Sequence, residues 1–272
     1  MSLPCDSVPL PRLLRWLQPR EFPHKLGLCE RLFARGLARY RDCWVETAAG
    51  LTWRLDLRNP THRWIVYGYY EGANFLRWVE KNVPDGGVVV DSGANIGQMA
   101  LYFGQWFRRG RVLAFEPGAA AAAWLESCLH RHPELAIELI RAGLSNGDGT
   151  ASLANSMAGG THGSQAAITT GVGEEIRLVR LDALLAARGI NELALWKLDV
   201  EGHEIPALQG AGALLSERRV KALYVELFGE NGRQICEFLA RFGYRPHDLS
   251  FKGEVKPFKP SIEHRNALFL LR

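Results

Sequence analysis

The chain has 272 residues, 47% of them hydrophobic, 23% charged and 10% aromatic. This is ordinary globular composition and excludes a mainly disordered, collagen-like or coiled-coil protein. A chain of this length buries roughly 75% of its unfolded surface, so it needs neither disulfide nor metal to fold; one large α/β domain or two small ones both fit. The net charge of +4 is too weak alone to argue for nucleic acid, and no nucleic-acid partner is expected.

The five cysteines form no CxxC pair and their number is odd. Neither a disulfide framework nor a zinc site is suggested, and a reducing compartment, the cytoplasm, fits best. The first 25 residues carry five prolines and no continuous apolar core, so no secretory signal is expected. No apolar run approaches the ~20 residues that span a bilayer.

Three zones follow in order. Residues 1–60 form a basic, locally helical extension. In it Leu26, Cys29, Leu32, Phe33, Leu37 and Tyr40 fall at helical spacing, with Arg31, Arg35, Arg39 and Arg41 mostly on the other face. Such a helix can make weak contact with a membrane surface, or can simply cap the domain with its arginines in water. Residues 61–85 hold an aromatic cluster (Trp64, Tyr67, Tyr69, Tyr70, Phe75, Trp78) that reads as core or as a stacking surface for a sugar or cofactor. Residues 61–272 are expected to form the catalytic domain.

From residue 88 short apolar runs alternate with helical patterns. Strands are predicted over 88–91, 111–116, 136–140, 194–199 and 221–228, with helices over 96–107, 119–131, 203–215 and 233–242. This order predicts an α/β fold, a doubly wound and mostly parallel sheet with helices on both faces. Two last strands, 244–249 and 267–271, have no helix between them and predict an antiparallel hairpin at the sheet edge. Residues 146–173 interrupt the order. They open on the turn signal Asn146-Gly147-Asp148-Gly149 and contain a Gly-rich stretch, 158–164, that reads as an active-site lid or as slack surface.

Three motifs carry chemistry. The first, Asp91-Ser92-Gly93-Ala94-Asn95-Ile96-Gly97, sits between a strand and a helix, where ligands bind in such sheets. Its glycines allow close backbone approach, and the helix start offers N–H groups to a carboxylate or phosphate. It lacks the full GxGxxG and the P-loop Lys-Ser/Thr. The second is Glu116, 25 residues after Asp91 and closing the next strand. A carboxylate there suits two ribose hydroxyls, or caps the following helix. The third is Lys197-Leu198-Asp199-Val200-Glu201-Gly202-His203-Glu204, four ionisable side chains crowded at a strand end behind Lys197.

Taken in order, DSGANIG, VLAFEP, RAGLSNGDGT and WKLDVEGHEIPALQGA resemble the FkbM-type S-adenosylmethionine-dependent methyltransferases, over about residues 65–271. The resemblance implies a class I methyltransferase: a Rossmann-like, seven-stranded sheet whose C-terminal strand is antiparallel. It implies S-adenosylmethionine as cofactor and methyl transfer to a hydroxyl of a sugar, polysaccharide or secondary metabolite. By the same resemblance Asp91, Gly93, Asn95 and Gly97 would hold the amino acid end of the cofactor and Glu116 its ribose. The backbone around Ser145 would border the adenine, and Glu71 matches an acid often found just before the first core strand. Ser92, Gly118, Cys128 and Asn146 depart from the family's usual residues.

An attacking alcohol must lose its proton, and the candidate bases are His203, Glu201 and Asp199. Asp199 and Glu201 could share a magnesium ion, but no third ligand stands out and no metal is predicted. The acceptor is expected to be a small molecule or glycan; the sequence leaves the oligomeric state open. The competing readings are a nucleotide-dependent oxidoreductase and a methyltransferase fold kept as a non-catalytic binding module.

Overall fold

The computed structural model describes residues 7–68, 73–155, 166–169, 173–260 and 265–271. The elements begin with helices α1 (Arg12–Leu17) and α2 (Lys25–Leu37), a hairpin of β1 (Cys43–Glu46) and β2 (Thr52–Leu55), and helices α3 (Pro60–Tyr67) and α4 (Ala73–Asn82). There follow β3 (Val88–Ser92), α5 (Gln98–Trp106), β4 (Arg111–Phe115), α6 (Ala119–Arg131) and β5 (Ile137–Ile140). Four further strands, β6 (Gly143–Leu144), β7 (Gly149–Asn155), β8 (Ala166–Thr169) and β9 (Glu174–Val179), precede α7 (Leu181–Ala187) and β10 (Leu195–Leu198). The remaining elements are α8 (Glu204–Gln209), α9 (Gly212–Ser216), β11 (Ala222–Leu227), α10 (Gly229–Ala240), β12 (Tyr244–Leu249), β13 (Val255–Pro257) and β14 (Arg265–Leu271).

The main sheet runs β13-β12-β14-β11-β10-β3-β4-β5. The pairs from β11 to β5 are parallel, and β14 is antiparallel to both its neighbours. This is the expected doubly wound α/β sheet, with an eighth strand, β13, added at one edge. The order reverses at β3/β10, and in sheets of this kind ligands bind beyond the strands' C-terminal ends at such a point. Val89, Val90, Leu195, Trp196 and Leu198 are buried there. A strand covered by helices on both faces keeps apolar residues on both.

The expected antiparallel pair of the last two strands is present as β12 against β14, with β14 on the inner side next to β11 and β13 added outside β12. Two local expectations are corrected. The helix predicted over 203–215 is two short helices, because Gly210 must lie flat against the Ser145 carbonyl; a Cβ on it would come within 2.0 Å of that oxygen. Residues 146–173 hold strands rather than only turn and loop, since β7 and β9 pair antiparallel and β7 takes β8 on its other side. The 158–164 stretch lies outside the described residues.

The N-terminal zone also contains strands. The β1–β2 hairpin packs on α6, where the Arg54 amide donates to the Cys128 sulfur at 3.3 Å and the Thr52 amide to His132 Nε2 at 2.9 Å. One apolar cluster joins Leu14, Leu17, Cys29, Leu37, Trp53 and Tyr67 to Ile96, Leu101 and Cys128. Leu32, predicted on the inward face of α2, points to solvent. In the aromatic segment Tyr67, Phe75 and Trp78 are buried, and Phe75 stacks on Tyr224 with ring centroids 3.6 Å apart. Those rings are core; Tyr69 and Tyr70 lie outside the described residues.

Candidate active site

The glycine turn leaves the end of β3 and enters α5. Gly93, Asn95 and Gly97 all take positive φ, at 75°, 50° and 93°. Gly93 is required: a Cβ on it would lie 1.8 Å from the Asp199 carbonyl oxygen. The turn is therefore pressed against the end of β10, which brings the first and third motifs together. The amides of Gly93 and Ala94 both donate to the Phe115 carbonyl, at 3.0 and 2.9 Å.

Glu116 fastens the turn from the next strand. Its Oε2 accepts from the Asn95 amide and its Oε1 from the Gly118 amide, both at 2.8 Å. The side chain is 8% exposed, and burial raises its pKa against the pull of those two amides. The second lone pair of each oxygen remains for a ligand hydroxyl.

Asp91 and Lys197 sit behind this surface, side by side in the β3/β10 register. The Lys197 ammonium lies 3.6 Å from Asp91 Oδ1 and 3.2 Å from Asp199 Oδ2. Burial opposes its charge, but the two carboxylates outweigh that and hold its pKa above the ordinary lysine value. Asp91 has no exposed surface, and neither of its oxygens accepts a hydrogen bond. Burial pushes its pKa up and the Lys197 charge opposes this. Asp91 thus positions Lys197 from within the wall.

Beyond β10 the chain turns sharply through Glu201, which adopts a left-handed φ of 52°. A non-glycine residue held there is uncommon and marks a constrained position. Burial, followed by the charges of Asp199 and Glu204, pushes the Glu201 pKa up to about 7. Glu204 is buried and structural: its Oε1 accepts from the amides of Val200 and Gly202, both at 3.1 Å, and its Oε2 from Asn231 Nδ2 at 2.6 Å. His203 lies 3.0 Å through Nε2 from Ser145 Oγ, and burial lowers its pKa. Ser145 is in turn anchored by its amide to the Val179 carbonyl of β9 at 3.0 Å, so the second sheet places it.

The structure thus gathers Asp91, Gly93, Asn95, Gly97, Glu116 and Asp199 around one turn, and joins His203 to Ser145. Glu71 lies outside the described residues. Glu226, near the end of β11, is a residue the sequence reading missed. Burial first, then the charges of Asp199 and Glu201, push its pKa up to about 9. The signal was available, because it closes a parallel strand beside Asp199 just as Asp91 and Glu116 close theirs. No metal-holding cluster of His, Cys, Asp and Glu occurs among the described residues.

The profile of the family described as the methyltransferase FkbM domain matches residues 91–246, from the first carboxylate of the glycine turn to β12. The chain belongs to the FkbM methyltransferase family. Among curated relatives of this FkbM member, the hexuronic acid methyltransferase AglP of Haloferax volcanii is 27% identical over 172 residues, covering 62% of this chain and 69% of that one. The methyltransferase sdnD of Sordaria araneosa is 28% identical over 160 residues, covering 47% of this chain and 62% of its own. The solved FkbM methyltransferase of Methylobacillus flagellatus aligns at 17% identity and a TM-score of 0.45, over 68% of this chain and 44% of that one. Family membership sets the oxidoreductase reading aside and makes S-adenosylmethionine the cofactor.

The residues of this FkbM site fit that cofactor. Glu116 keeps an unused lone pair on each oxygen, an acceptor for ribose hydroxyls at the end of β4, while Asp91, with no exposed surface, backs the glycine turn beside Lys197. The first turn of α5 offers N–H groups for a carboxylate.

Proposed function

We propose that this protein transfers a methyl group from S-adenosylmethionine to a hydroxyl of a sugar, with Glu201 as the base that takes the hydroxyl proton. The observation that carries this is the state of Glu201. Its pKa is raised to about 7, mainly by burial, on a constrained left-handed turn beside the Gly93 loop. A base titrating near the working pH is the most effective general base. The other candidates are engaged: Asp199 with Lys197 at 3.2 Å, and His203 with Ser145 at 3.0 Å. In this reading Asn95 and Gly97 hold the amino acid end of the cofactor, Glu116 its ribose, and His203 with Ser145 borders the adenine side.

The bound cofactor supplies an electrophilic methyl group. Glu116 and the Gly93–Gly97 turn would hold that cofactor, which would give its methyl group to the acceptor oxygen and leave as the thioether, while a Glu201 carboxylate oxygen would take the hydroxyl proton. The hexuronic acid named for the relative AglP supports a sugar acceptor bearing a carboxylate. A cytoplasmic location is part of the same proposal, supported by an odd number of cysteines with no CxxC pair.

The test is formation of S-adenosylhomocysteine from S-adenosylmethionine with uronic-acid oligosaccharides as acceptors. Turnover is expected to rise with pH through about 7, the range in which Glu201 ionises. Glu201→Gln is expected to lower kcat at least ~100-fold, the usual scale for losing a general base, with cofactor affinity retained. A variant turning over at the wild-type rate overturns the assignment. Cofactor binding without transfer to any hydroxylated acceptor would favour the non-catalytic binding module.

A further inference from the structure

The N-terminal zone carries a charge the rest of the molecule does not. Residues 7–41 hold eight lysines and arginines against two glutamates, a net +6, whereas the whole chain is +4. Both glutamates are taken up locally. Glu21 pairs with Lys25 at 3.4 Å and Glu30 with Arg63 at 3.1 Å. What this segment turns outward is therefore uniformly basic.

The outward faces of this segment's helices are also unusually apolar. Four of the seven large hydrophobic side chains exposed among the described residues lie here: Leu13 at 52%, Trp16 at 55%, Leu28 at 41% and Leu32 at 53%. They are not loosened core residues. Leu14 and Leu17 of α1, and Cys29 and Leu37 of α2, fill the inward face and are buried in one cluster. On α2 the exposed residues Leu28, Arg31, Leu32 and Arg35 recur at i, i+3, i+4 and i+7, a single stripe in which leucines and arginines alternate. On α1 the Arg20 guanidinium covers the Trp16 ring at 4.0 Å, so the tryptophan also presents an apolar body with a cation over it.

We propose that the outward faces of α1 and α2 dock this protein on an anionic membrane surface. The arginines meet lipid phosphates while Trp16, Leu28 and Leu32 enter the headgroup boundary. Tryptophan and arginine are the side chains suited to that depth, one by its amphipathic ring and the other by a long stem under a charged head. A face built for nucleic acid would present arginines without outward leucines, and a protein interface would not need so one-sided a charge. The contact is peripheral, since no helix among the described residues is long and apolar enough to cross a membrane. This inference stands apart from the proposed reaction.

The experiment is co-sedimentation of the full chain with phosphatidylcholine vesicles, with and without about 30% phosphatidylserine, at about 0.1 M salt. Binding to the anionic vesicles is expected to be at least ~10-fold tighter than to the neutral ones and to weaken at about 0.5 M salt, as charge attraction is screened. Arg31→Glu with Arg35→Glu should weaken it by ~10-fold or more, and so should Trp16→Ser with Leu28→Ser and Leu32→Ser. All five positions are exposed, and unchanged thermal unfolding will show that the variants fold. No sedimentation of the wild type overturns the proposal. So does an apolar variant that binds like the wild type, which would leave charge alone. A single-stranded RNA oligonucleotide that binds with the same dependence on both variants would reassign the face to nucleic acid.

Discussion

Glu116→Ala tests the centre of the cofactor reading. The substitution deletes two acceptors that receive the Asn95 and Gly118 amides at 2.8 Å. Hydrogen bonds to a charged group contribute about 1.5–3 kcal/mol each. Burial of the carboxylate, which raises its pKa, offsets part of that, so a net loss of about 2 kcal/mol is expected in stability. Cofactor affinity should fall separately, because the ribose loses its acceptor and the Gly93–Gly97 turn its tether. At 1.4 kcal/mol per decade, a loss of that size weakens S-adenosylhomocysteine binding at least ~10-fold. Calorimetric titration reads the affinity and urea unfolding reads the stability of the same preparation. Glu116→Gln keeps the side chain's volume but turns an amide donor toward one of the two backbone donors, so it should behave as the alanine does. A folded variant that binds within about twofold of the wild type would refute the ribose assignment.

Two further substitutions probe the buried charges. Lys197→Met leaves Asp91 without its counter-charge in a fully buried position, and a loss of about 3–5 kcal/mol is expected by urea unfolding; a loss below about 1 kcal/mol would mean that Asp91 is neutral and the pair carries little. Glu226 has its pKa raised from 4.5 to about 9, so the fold favours its protonated form. The wild type should lose stability as pH rises between those values, and Glu226→Gln should remove that slope. Its Tm advantage over the wild type is expected to be larger near pH 8.5 than near pH 5, by about 2 °C or more; equal differences at both pH values would show that Glu226 is not perturbed.

Much of the main sheet was legible because its strands are apolar on both faces and its helices periodic. The helix Ala119–Arg131 and the strand Tyr244–Leu249 fall on their predicted bounds. The second sheet was not legible. The strand Gly149–Asn155 is built of Gly, Thr, Ala, Ser, Leu and Asn, and it is tertiary pairing with β9, not side-chain hydrophobicity, that holds it extended. The hairpin Cys43–Glu46 with Thr52–Leu55 was hidden for a related reason: each arm has four residues, too few to show alternation beside longer helical patterns. In the site, the motifs gave the location: the carboxylates Asp91 and Glu116 do stand together at the glycine turn. What each carboxylate does depends on depth. Asp91 lies wholly inside and Glu201 on a half-buried turn, a difference no spacing rule encodes.

The position of β14 has a consequence for synthesis. The strand that separates β11 from β12 and pairs with both comes after both of them in chain order. On the ribosome, β11 and β12 must wait with open edges until residues 265–271 emerge, and an open edge is a template for pairing with another chain. A nascent chain stalled before Arg265 therefore holds an unfinished sheet, and the seven-residue β14 works as a keystone set after both sides of the arch.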